Sequence, residues 1–172
     1  MKTAFIGGGV MGEAMLSCLL SKGVVAPGEV SVSDIDPTRL AALRERYGVN
    51  TTTANALAVL GGQAAVLAVK PQTLPQVMRD LVGKFQPGQG VLSIVGGAPL
   101  KTLCRGLKHE EVARAMPNMP ARIGEGMSVW TATEEVSEAQ KGVVRTLLGA
   151  LGREIYVSDE KYLNMATAVS GS

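Results

Sequence analysis

Six residues near the start of the chain, Gly7-Gly8-Gly9-Val10-Met11-Gly12, satisfy the pattern G-x-G-x-x-G. They follow a short apolar segment, Thr3–Ile6, and precede residues with helical periodicity up to Gly23. Glycines at this spacing permit a tight turn, let a pyrophosphate approach the backbone and allow a helix to pack close to a strand. The helix N-terminus adds unpaired N–H groups and a partial positive charge. The pattern predicts binding of a dinucleotide, the alternative being a glycine-rich turn without a ligand.

An acidic residue follows the second predicted strand, Val30–Ser33. Asp34 lies roughly 20 positions after the glycines, where a carboxylate hydrogen-bonds the adenosine ribose hydroxyls of NAD. The same charge repels the 2′-phosphate of NADP, whereas Ser33, Thr38 and Arg39 are close enough in sequence to supply donors and a compensating charge. The choice between NAD and NADP therefore stays open. Alternatively, Asp34 is only a solvated turn residue or an aid to helix capping.

The elements that position these residues alternate between short apolar runs and helical periods, which is typical of βαβ units. Asp36-Pro37 predicts the start of a second helix that ends at Gly48. Further strands are predicted at residues 64–69, 91–95 and 112–116, with edge strands at 127–131 and 154–157. We therefore expect an α/β fold of the Rossmann type: a doubly wound, mostly parallel sheet in three αβα layers.

Two further helix starts carry a capping-box pattern. Thr73 and Gln76 predict a capped helix that ends near Phe85. Ser137 and Gln140 predict a second one between the two edge strands. Regular structure breaks after three of the strands, at Lys70-Pro71, Gly96-Gly97 and Pro117-Asn118. Ligand-binding loops of a doubly wound sheet belong at these strand ends.

Composition and charge narrow the class of protein. The 172 residues are 46% hydrophobic, enough for one globular domain, and carry a formal charge of +2 without a block of like charge. We expect no nucleic-acid partner, and no membrane partner because no apolar run approaches the roughly 20 residues that cross a bilayer. The N-terminal segment lacks the features of a signal peptide. With Cys18 and Cys104 expected as buried thiols, a cytoplasmic location is the simplest expectation.

Candidate catalytic groups are few. Lys70 precedes a proline at the end of a predicted strand, which fits a catalytic amine and equally a solvated edge residue. His109, the only histidine, lies in a polar stretch and is expected to be exposed. The sequence shows no Ser-His-Asp triad and no set of metal ligands, and hydride transfer requires neither. The catalytic residue is therefore left unassigned.

Three segments resemble signatures of the pyrroline-5-carboxylate reductase family. They are Ala68-Val69-Lys70-Pro71, Met116-Pro117-Asn118-Met119-Pro120 and Ala168-Val169-Ser170-Gly171-Ser172, and their order and spacing match as well. The resemblance covers the whole chain, and the Ser-Gly-Ser ending is its most specific part, because that family continues with Gly-Pro-Ala into an all-helical dimerisation domain. By this resemblance, residues 1–158 form the dinucleotide-binding domain, and residues 159–172 begin the helix and loop that lead to the missing domain.

The resemblance implies an NAD(P)H-dependent oxidoreductase that reduces the C5=N imine of 1-pyrroline-5-carboxylate to L-proline, the last step of proline biosynthesis. The fragment alone is then expected to be inactive or slow, and the full-length protein a homodimer or higher homo-oligomer. Family members usually prefer NADPH. Asp34 departs from the small neutral residue that many of them have there, so NADP(H) is favoured and NAD(H) stays an option.

The resemblance also implies roles for individual residues along the cofactor and substrate. The implied cofactor-binding residues are Ile6, Gly7, Gly8, Gly9, Val10, Met11 and Gly12 at the pyrophosphate, Ser33, Asp34 and Asn55 near the adenosine ribose, and Ala68, Val69, Lys70, Pro71, Ser93 and Gly96 near the nicotinamide-side ribose. The implied substrate-binding residues are Met116, Asn118, Ser170, Gly171 and Ser172. Asn118, between prolines, is alternatively a plain turn residue.

Two other hypotheses stay open. A β-hydroxyacid dehydrogenase relative shares the fold, but such enzymes rely on a lysine of the helical domain and are not expected to carry the Ser-Gly-Ser ending. A non-catalytic cofactor-sensing module would bind a dinucleotide and show no activity even at full length. The sequence downstream of Ser172 and an assay of the longer protein distinguish these hypotheses.

Overall fold

The computed structural model describes residues 1–170, without the side chains of Met119 and residues 167–170. Within this part of the chain, strands and helices alternate. The strands are β1 (Thr3–Ile6), β2 (Val30–Ser33), β3 (Asn50–Thr52), β4 (Ala64–Leu67), β5 (Gly90–Ser93), β6 (Val112–Pro117), β7 (Gly126–Ala132) and β8 (Gly152–Tyr156). The α-helices are α1 (Val10–Ser21), α2 (Pro37–Tyr47), α3 (Asn55–Ala58), α4 (Leu74–Leu81), α5 (Leu100–Leu107), α6 (Glu138–Gly149) and α7 (Lys161–Ser170).

The strands form one sheet in the order β3-β2-β1-β4-β5-β6-β7-β8. Neighbouring strands are parallel except β6 and β7, which are antiparallel. The chain begins in the middle at β1, builds outward to β3, and returns to place β4 on the other side of β1. Strand order therefore reverses between β1 and β4, which is the point where doubly wound sheets bind ligands. The predicted Rossmann-type fold is confirmed.

Helices cover both faces of the sheet. Buried residues of α1, α2 and α6 pack on one face, and buried residues of α3, α4 and α5 pack on the other. The division follows from the two-residue period of a strand: in β1, Phe5 belongs to the first core, whereas Ala4 and Ile6 belong to the second. These three layers match the predicted αβα arrangement.

The predicted capping box at Thr73 and Gln76 is wrong. Thr73 has helical backbone angles (φ −86°, ψ −21°) and makes no side-chain cap bond. Gln76 instead donates to Asp80 Oδ1 at 2.8 Å, one helical turn ahead. The helix also ends at Leu81 rather than near Phe85. The box at Ser137 and Gln140 is confirmed, because there the N-cap residue is extended.

Two predictions of exposure are also wrong. Strand β7 is not an edge strand, because it pairs with β6 on one side and β8 on the other. The side chain of His109 is only 11% exposed. Its Nε2 forms a 2.7 Å hydrogen bond with the Gln89 carbonyl, and its ring packs against Phe85 with centroids 5.1 Å apart. The neighbours of His109 in sequence are polar, but Phe85 and Gln89, which are 20 or more positions earlier in the chain, cover its side chain.

Cys18 and Cys104 are buried free thiols, as predicted. Burial, together with the negative charge of Glu110, raises the pKa of the Cys104 thiol to about 11.

Three short elements, β3, α3 and α5, were not predicted. In α5 a signal was present, because Leu100, Leu103, Cys104 and Leu107 recur at helical spacing. Within residues 1–170, no helix has both the length and the apolar character needed to span a bilayer.

Candidate functional site

A cleft of about 390 Å³ lies at the carboxyl ends of β1, β2 and β4, where strand order reverses. Sites for small organic ligands commonly have volumes of about 300–1,000 Å³. The residues that line the cleft are Gly7, Gly9, Ser33, Asp34, Ile35, Asp36, Asn55, Ala68, Val69, Lys70, Thr73 and Val77. The fold therefore brings together several segments that are far apart in the chain and that the sequence singled out.

The glycines of the loop between β1 and α1 meet different steric demands. Gly7 has φ +103°, and a Cβ on it would lie 2.6 Å from the carbonyl oxygen of Ala68. A Cβ on Gly12 would lie 2.3 Å from the carbonyl oxygen of Gly7. A Cβ on Gly9 would meet nothing within 4 Å, although Gly9 lines the cleft. Gly7 and Gly12 are therefore required by the protein itself, whereas Gly9 leaves backbone open to a ligand.

The N-terminus of α1 is left without a side-chain cap among the residues that the structure describes. Asp36 caps α2 by accepting from the N–H groups of Thr38 and Arg39, and Ser137 caps α6 by accepting from Gln140, whereas α3, α4 and α5 have no side-chain cap either. The first N–H groups of a helix have no partner within the helix. At α1 they face the glycine loop, which makes this helix end suited to an anion such as a pyrophosphate.

The carboxylate of Asp34 is held by two backbone groups. Its Oδ2 accepts from the Gly8 N–H at 2.8 Å, and its Oδ1 accepts from the Asp36 N–H at 3.0 Å. Each carboxylate oxygen has a second lone pair, so Asp34 can still accept from a hydroxyl group in the cleft. Asp34 thus connects the end of β2 to the glycine loop, a structural role that sequence reasoning missed.

A second network joins the end of β2 to α3 and α4. The buried Ser33 hydroxyl donates to Asn55 Oδ1 at 2.7 Å. Asn55 Nδ2 donates to Asp80 Oδ2 at 3.0 Å. Both ends of the Asn55 amide are therefore used, which fixes its orientation at the wall of the cleft.

Charged groups surround the glycine loop. Lys70 is exposed on the cleft wall beyond β4. On α1, Glu13 accepts from Tyr47 at 2.9 Å and pairs with Arg39 and Arg46. Burial by itself raises the pKa of Glu13, but the hydrogen bonds from Tyr47 and Arg39 and the two arginine charges outweigh it and lower the pKa. Glu13 is therefore held as a carboxylate.

Several predicted site residues do not line this cleft. Ser93 is buried and its Oγ accepts from the Val95 N–H, and Gly96 and Met116 are not among the residues that line the cleft. Asn118 Oδ1 accepts from the Met127 N–H at 2.9 Å, which is the turn role left open above. Ser170 ends α7, and Gly171 and Ser172 lie outside the described residues.

Four cleft residues were not predicted as site residues: Ile35, Asp36, Thr73 and Val77. Ile35 is 84% exposed, so its apolar side chain is accessible at the cleft. An isoleucine between two aspartates in a predicted turn was the available signal. Within residues 1–170, no group of His, Cys, Asp and Glu side chains is arranged to hold a metal ion.

The doubly wound sheet, the glycine loop and the cleft at the switch point define a class, the Rossmann-type domains of dinucleotide-dependent enzymes. Residues 2–97 match the family model described as NADP oxidoreductase, coenzyme F420-dependent. The chain belongs to this family.

Curated relatives and solved structures narrow the likeness further. A pyrroline-5-carboxylate reductase from Synechocystis is 34% identical over 172 residues, which is 100% of this chain and 64% of the relative. The structure of a pyrroline-5-carboxylate reductase from Coxiella burnetii matches with a TM-score of 0.90 at 29% identity, over 98% of this chain and 63% of that chain. The Plasmodium falciparum pyrroline carboxylate reductase, solved with NADP bound, shares the fold at 23% identity with a TM-score of 0.87, over 99% of this chain and 62% of that chain.

The chain thus spans less than two thirds of the length of these relatives. The predicted resemblance to the pyrroline-5-carboxylate reductase family is confirmed.

Proposed function

We propose that this chain is the dinucleotide-binding domain of a pyrroline-5-carboxylate reductase. The whole protein would use NAD(P)H to reduce the C5=N bond of 1-pyrroline-5-carboxylate, adding a hydride at C5 and a proton at nitrogen to give L-proline. The observation that carries this proposal is the likeness over the entire chain to reductases of that name, at 34% identity for the Synechocystis protein. The open approach at Gly9 beside an uncapped helix supports the cofactor part independently.

The cofactor would lie along the cleft in an order that the lining residues suggest. The pyrophosphate fits the loop at residues 6–12, because the helix N-terminus and the open Gly9 backbone are there. The adenosine ribose fits beside Asp34 and Asn55, and the exposed Ile35 offers an apolar surface to the purine. The nicotinamide-side ribose fits residues 68–71, where Lys70 adds a positive charge near the phosphates. Ser93 and Gly96 would approach from the next loop.

NADP(H) is the favoured cofactor in this proposal. The family description and the NADP-bound Plasmodium relative support it. Asp34 acts against it, because its carboxylate is held in the cleft by two hydrogen bonds and repels a 2′-phosphate. We therefore expect a smaller preference for NADPH over NADH than a neutral residue at position 34 would allow.

The chain's own residues would bind and orient the cofactor and exclude water from the site. They would not transfer protons. The bound nicotinamide supplies the hydride, and the protein aligns donor and acceptor carbons. No catalytic residue is assigned within this chain.

Residues 1–158 would form the cofactor domain, and residues 159–172 would lead to a C-terminal helical domain that completes the site and forms the homo-oligomer. Residues 170–172 would hold the substrate carboxylate through backbone donors, with Met116 and Asn118 nearby. The 172-residue chain alone is therefore expected to bind cofactor with little or no turnover.

Calorimetric titration of the 172-residue chain with NADPH and with NADH tests the cofactor part. We expect micromolar affinity for at least one dinucleotide, and a rise in the NADPH-to-NADH affinity ratio in Asp34→Ser, where the repulsive charge is removed. Failure of both dinucleotides to bind would contradict the cofactor proposal. An unchanged ratio would remove Asp34 from cofactor selection.

An assay of the longer protein tests the substrate part. Reduction of 1-pyrroline-5-carboxylate supports the reductase, and oxidation of a β-hydroxyacid would support the dehydrogenase alternative. Dinucleotide binding without either activity would indicate a sensor.

A further inference from the structure

The backbone of Gly8, in the middle of the glycine loop, is hydrogen-bonded through both its N–H and its carbonyl group. Its N–H donates to Asp34 Oδ2 at 2.8 Å, and its carbonyl oxygen accepts from Arg39 Nε at 2.6 Å. A Cβ on Gly8 would lie 2.7 Å from Leu43 Cδ1 of α2. Gly7 and Gly9 line the cleft, whereas Gly8 does not. The loop is therefore attached to β2 and α2 through its central residue and keeps its flanking residues free for a ligand.

The arginine that binds the Gly8 carbonyl is itself held in place. Arg39 Nη2 donates to Glu13 Oε2, and Glu13 Oε1 accepts from Tyr47 and Arg46 at 2.9 and 3.2 Å. The side chains of Arg39 and Glu13 are 32% and 19% exposed. These contacts use the Nε and Nη2 groups of Arg39, so its guanidinium has a defined orientation in the absence of a ligand.

We propose that Asp34, Arg39 and Glu13 form a clamp on the Gly8 backbone that sets the conformation of the glycine loop before a dinucleotide binds. Arg39 is then a positioning residue for the pyrophosphate site and not a ligand of the 2′-phosphate. The inference rests on the proposed dinucleotide function and assigns these side chains a role within it.

The physical reason lies in the entropy of glycine. A run of three glycines, Gly7 to Gly9, has more accessible backbone conformations than any other tripeptide and loses more freedom when it is ordered. If that cost were paid on binding, affinity would fall. Two charge-assisted hydrogen bonds to the backbone of Gly8, one to each of the peptide groups that flank its Cα, shift the ordering into folding, because charged partners make the stronger hydrogen bonds of proteins.

The competing role for Arg39 makes a different prediction. An arginine near the end of β2 is an obvious counter-charge for a 2′-phosphate, whereas the Nε and Nη2 groups of Arg39 already bind the Gly8 carbonyl and Glu13. A phosphate ligand affects NADPH alone, because NADH lacks the 2′-phosphate. A clamp on the loop affects both dinucleotides, because both contain the pyrophosphate.

The test titrates the 172-residue chain and its Arg39→Gln variant with NADPH and with NADH. We expect about tenfold weaker binding of both, with their affinity ratio unchanged. Arg39→Lys retains one of the two donor contacts and is expected to lose about threefold. Arg44→Gln is the matched control: Arg44 also lies on α2, is exposed, and donates to Thr51 away from the loop, so affinity should not change. A loss confined to NADPH in Arg39→Gln would overturn the clamp.

Amide hydrogen exchange of the ligand-free chain separates the clamp from the proposed function. The amides of residues 8–11 should exchange faster in Arg39→Gln and Glu13→Gln than in the unmodified chain, and not faster in Arg44→Gln. Unchanged exchange at these amides overturns the clamp even if dinucleotides bind. If the unmodified chain binds neither dinucleotide but the exchange difference is found, the clamp stands as a loop-ordering device and the proposed function fails.

Discussion

The glycine loop and the buried Arg114 on β6 both fasten distant segments together, but by opposite means. In the loop, Gly7 and Gly12 allow close packing because they have no side chain. Backbone atoms of other residues lie within 2.6 Å of where their Cβ atoms would be. Arg114 instead joins segments through a long, charged side chain, which is only 3% exposed and forms an ion pair with Glu160. The glycine loop can be recognised in the sequence as a local motif. The Arg114 ion pair cannot, because its partners come together only in the folded chain.

The buried guanidinium of Arg114 depends on contacts with several other elements. Its Nη1 donates to Glu160 Oε1 at 2.7 Å, and the guanidinium approaches Asn164 Oδ1 at 3.4 Å. Glu160 also accepts from the Leu100 N–H at 2.8 Å, so one carboxylate joins β6, α5 and the start of α7. A buried charge depends on its partner far more than an exposed one does. This region should therefore be sensitive to single changes that leave the charge unpaired.

Removing the partner of Arg114 should have the largest effect on stability. In Glu160→Gln the buried guanidinium loses its counter-charge, and we expect the free energy of unfolding to fall by about 3 kcal/mol. The control is Glu138→Gln, which breaks an ion pair between Lys141 and a carboxylate side chain that is 80% exposed, with an expected change below about 0.5 kcal/mol. Urea unfolding of the three proteins measures both changes. Similar losses in the two variants would mean that burial does not set the strength of the Arg114 pair.

A pair of glycine variants should separate stability from binding within the loop. Gly12→Ala places a Cβ 2.3 Å from the Gly7 carbonyl oxygen, and we expect it to lower the free energy of unfolding by about 2–3 kcal/mol. Gly9→Ala has open space for its Cβ, so its stability should change by less than about 1 kcal/mol, the loss of a glycine N-cap included. Its methyl group would nevertheless obstruct the approach of a pyrophosphate. Urea unfolding and dinucleotide titration distinguish the two variants, and strong dinucleotide binding by Gly9→Ala would remove this loop from the proposed cofactor site.

Glu13→Gln should have a smaller effect on stability than Glu160→Gln or Gly12→Ala, and one that depends on pH. The pKa of Glu13 in the folded chain is below its ordinary value of 4.5, so its charged form stabilises the fold at neutral pH. The difference in unfolding free energy between the unmodified chain and the variant, of about 1 kcal/mol, should be constant above pH ~5. It should then shrink as the pH falls through the lowered pKa, because the carboxylate becomes protonated in both states. Unfolding measured from pH 3 to pH 7 checks the trend, and a difference that grows on acidification would contradict it.

Local signals account for the parts of the fold that the sequence predicted well. The bounds of β1 and β2 agree with the prediction, and α2 begins after Asp36 and ends at Gly48 with φ +69°. In each case neighbouring residues decide the outcome: an apolar run, an extended N-cap with a side-chain acceptor, or a glycine that tolerates a left-handed backbone. The same reasoning failed at Thr73, because a capping box also requires an extended N-cap backbone, which this position lacks.

The candidate site divides in the same way. The sequence identified the glycine loop, Asp34 and residues 68–70, and the structure brings them to one cleft. It did not identify Ile35, Asp36, Thr73 and Val77 as cleft residues, because their place in the cleft depends on how the loop after β2 and the start of α4 approach each other. It also did not reveal that Asp34 binds the Gly8 N–H and Arg39 the Gly8 carbonyl, because those contacts span 26 and 31 positions in the chain.

What the sequence determined by itself was the class of fold, the family resemblance and the location of the phosphate-binding turn. These follow from short-range rules: which residues adopt a positive φ, which start or end a helix, and which alternate between water and core. The tertiary structure alone decided which side chains hold the loop, that His109 is largely covered and Arg114 buried, and which strands lie at the edge. Those outcomes depend on contacts between residues far apart in the chain. A local sequence pattern does not identify the distant partner of such a contact, and therefore does not predict it.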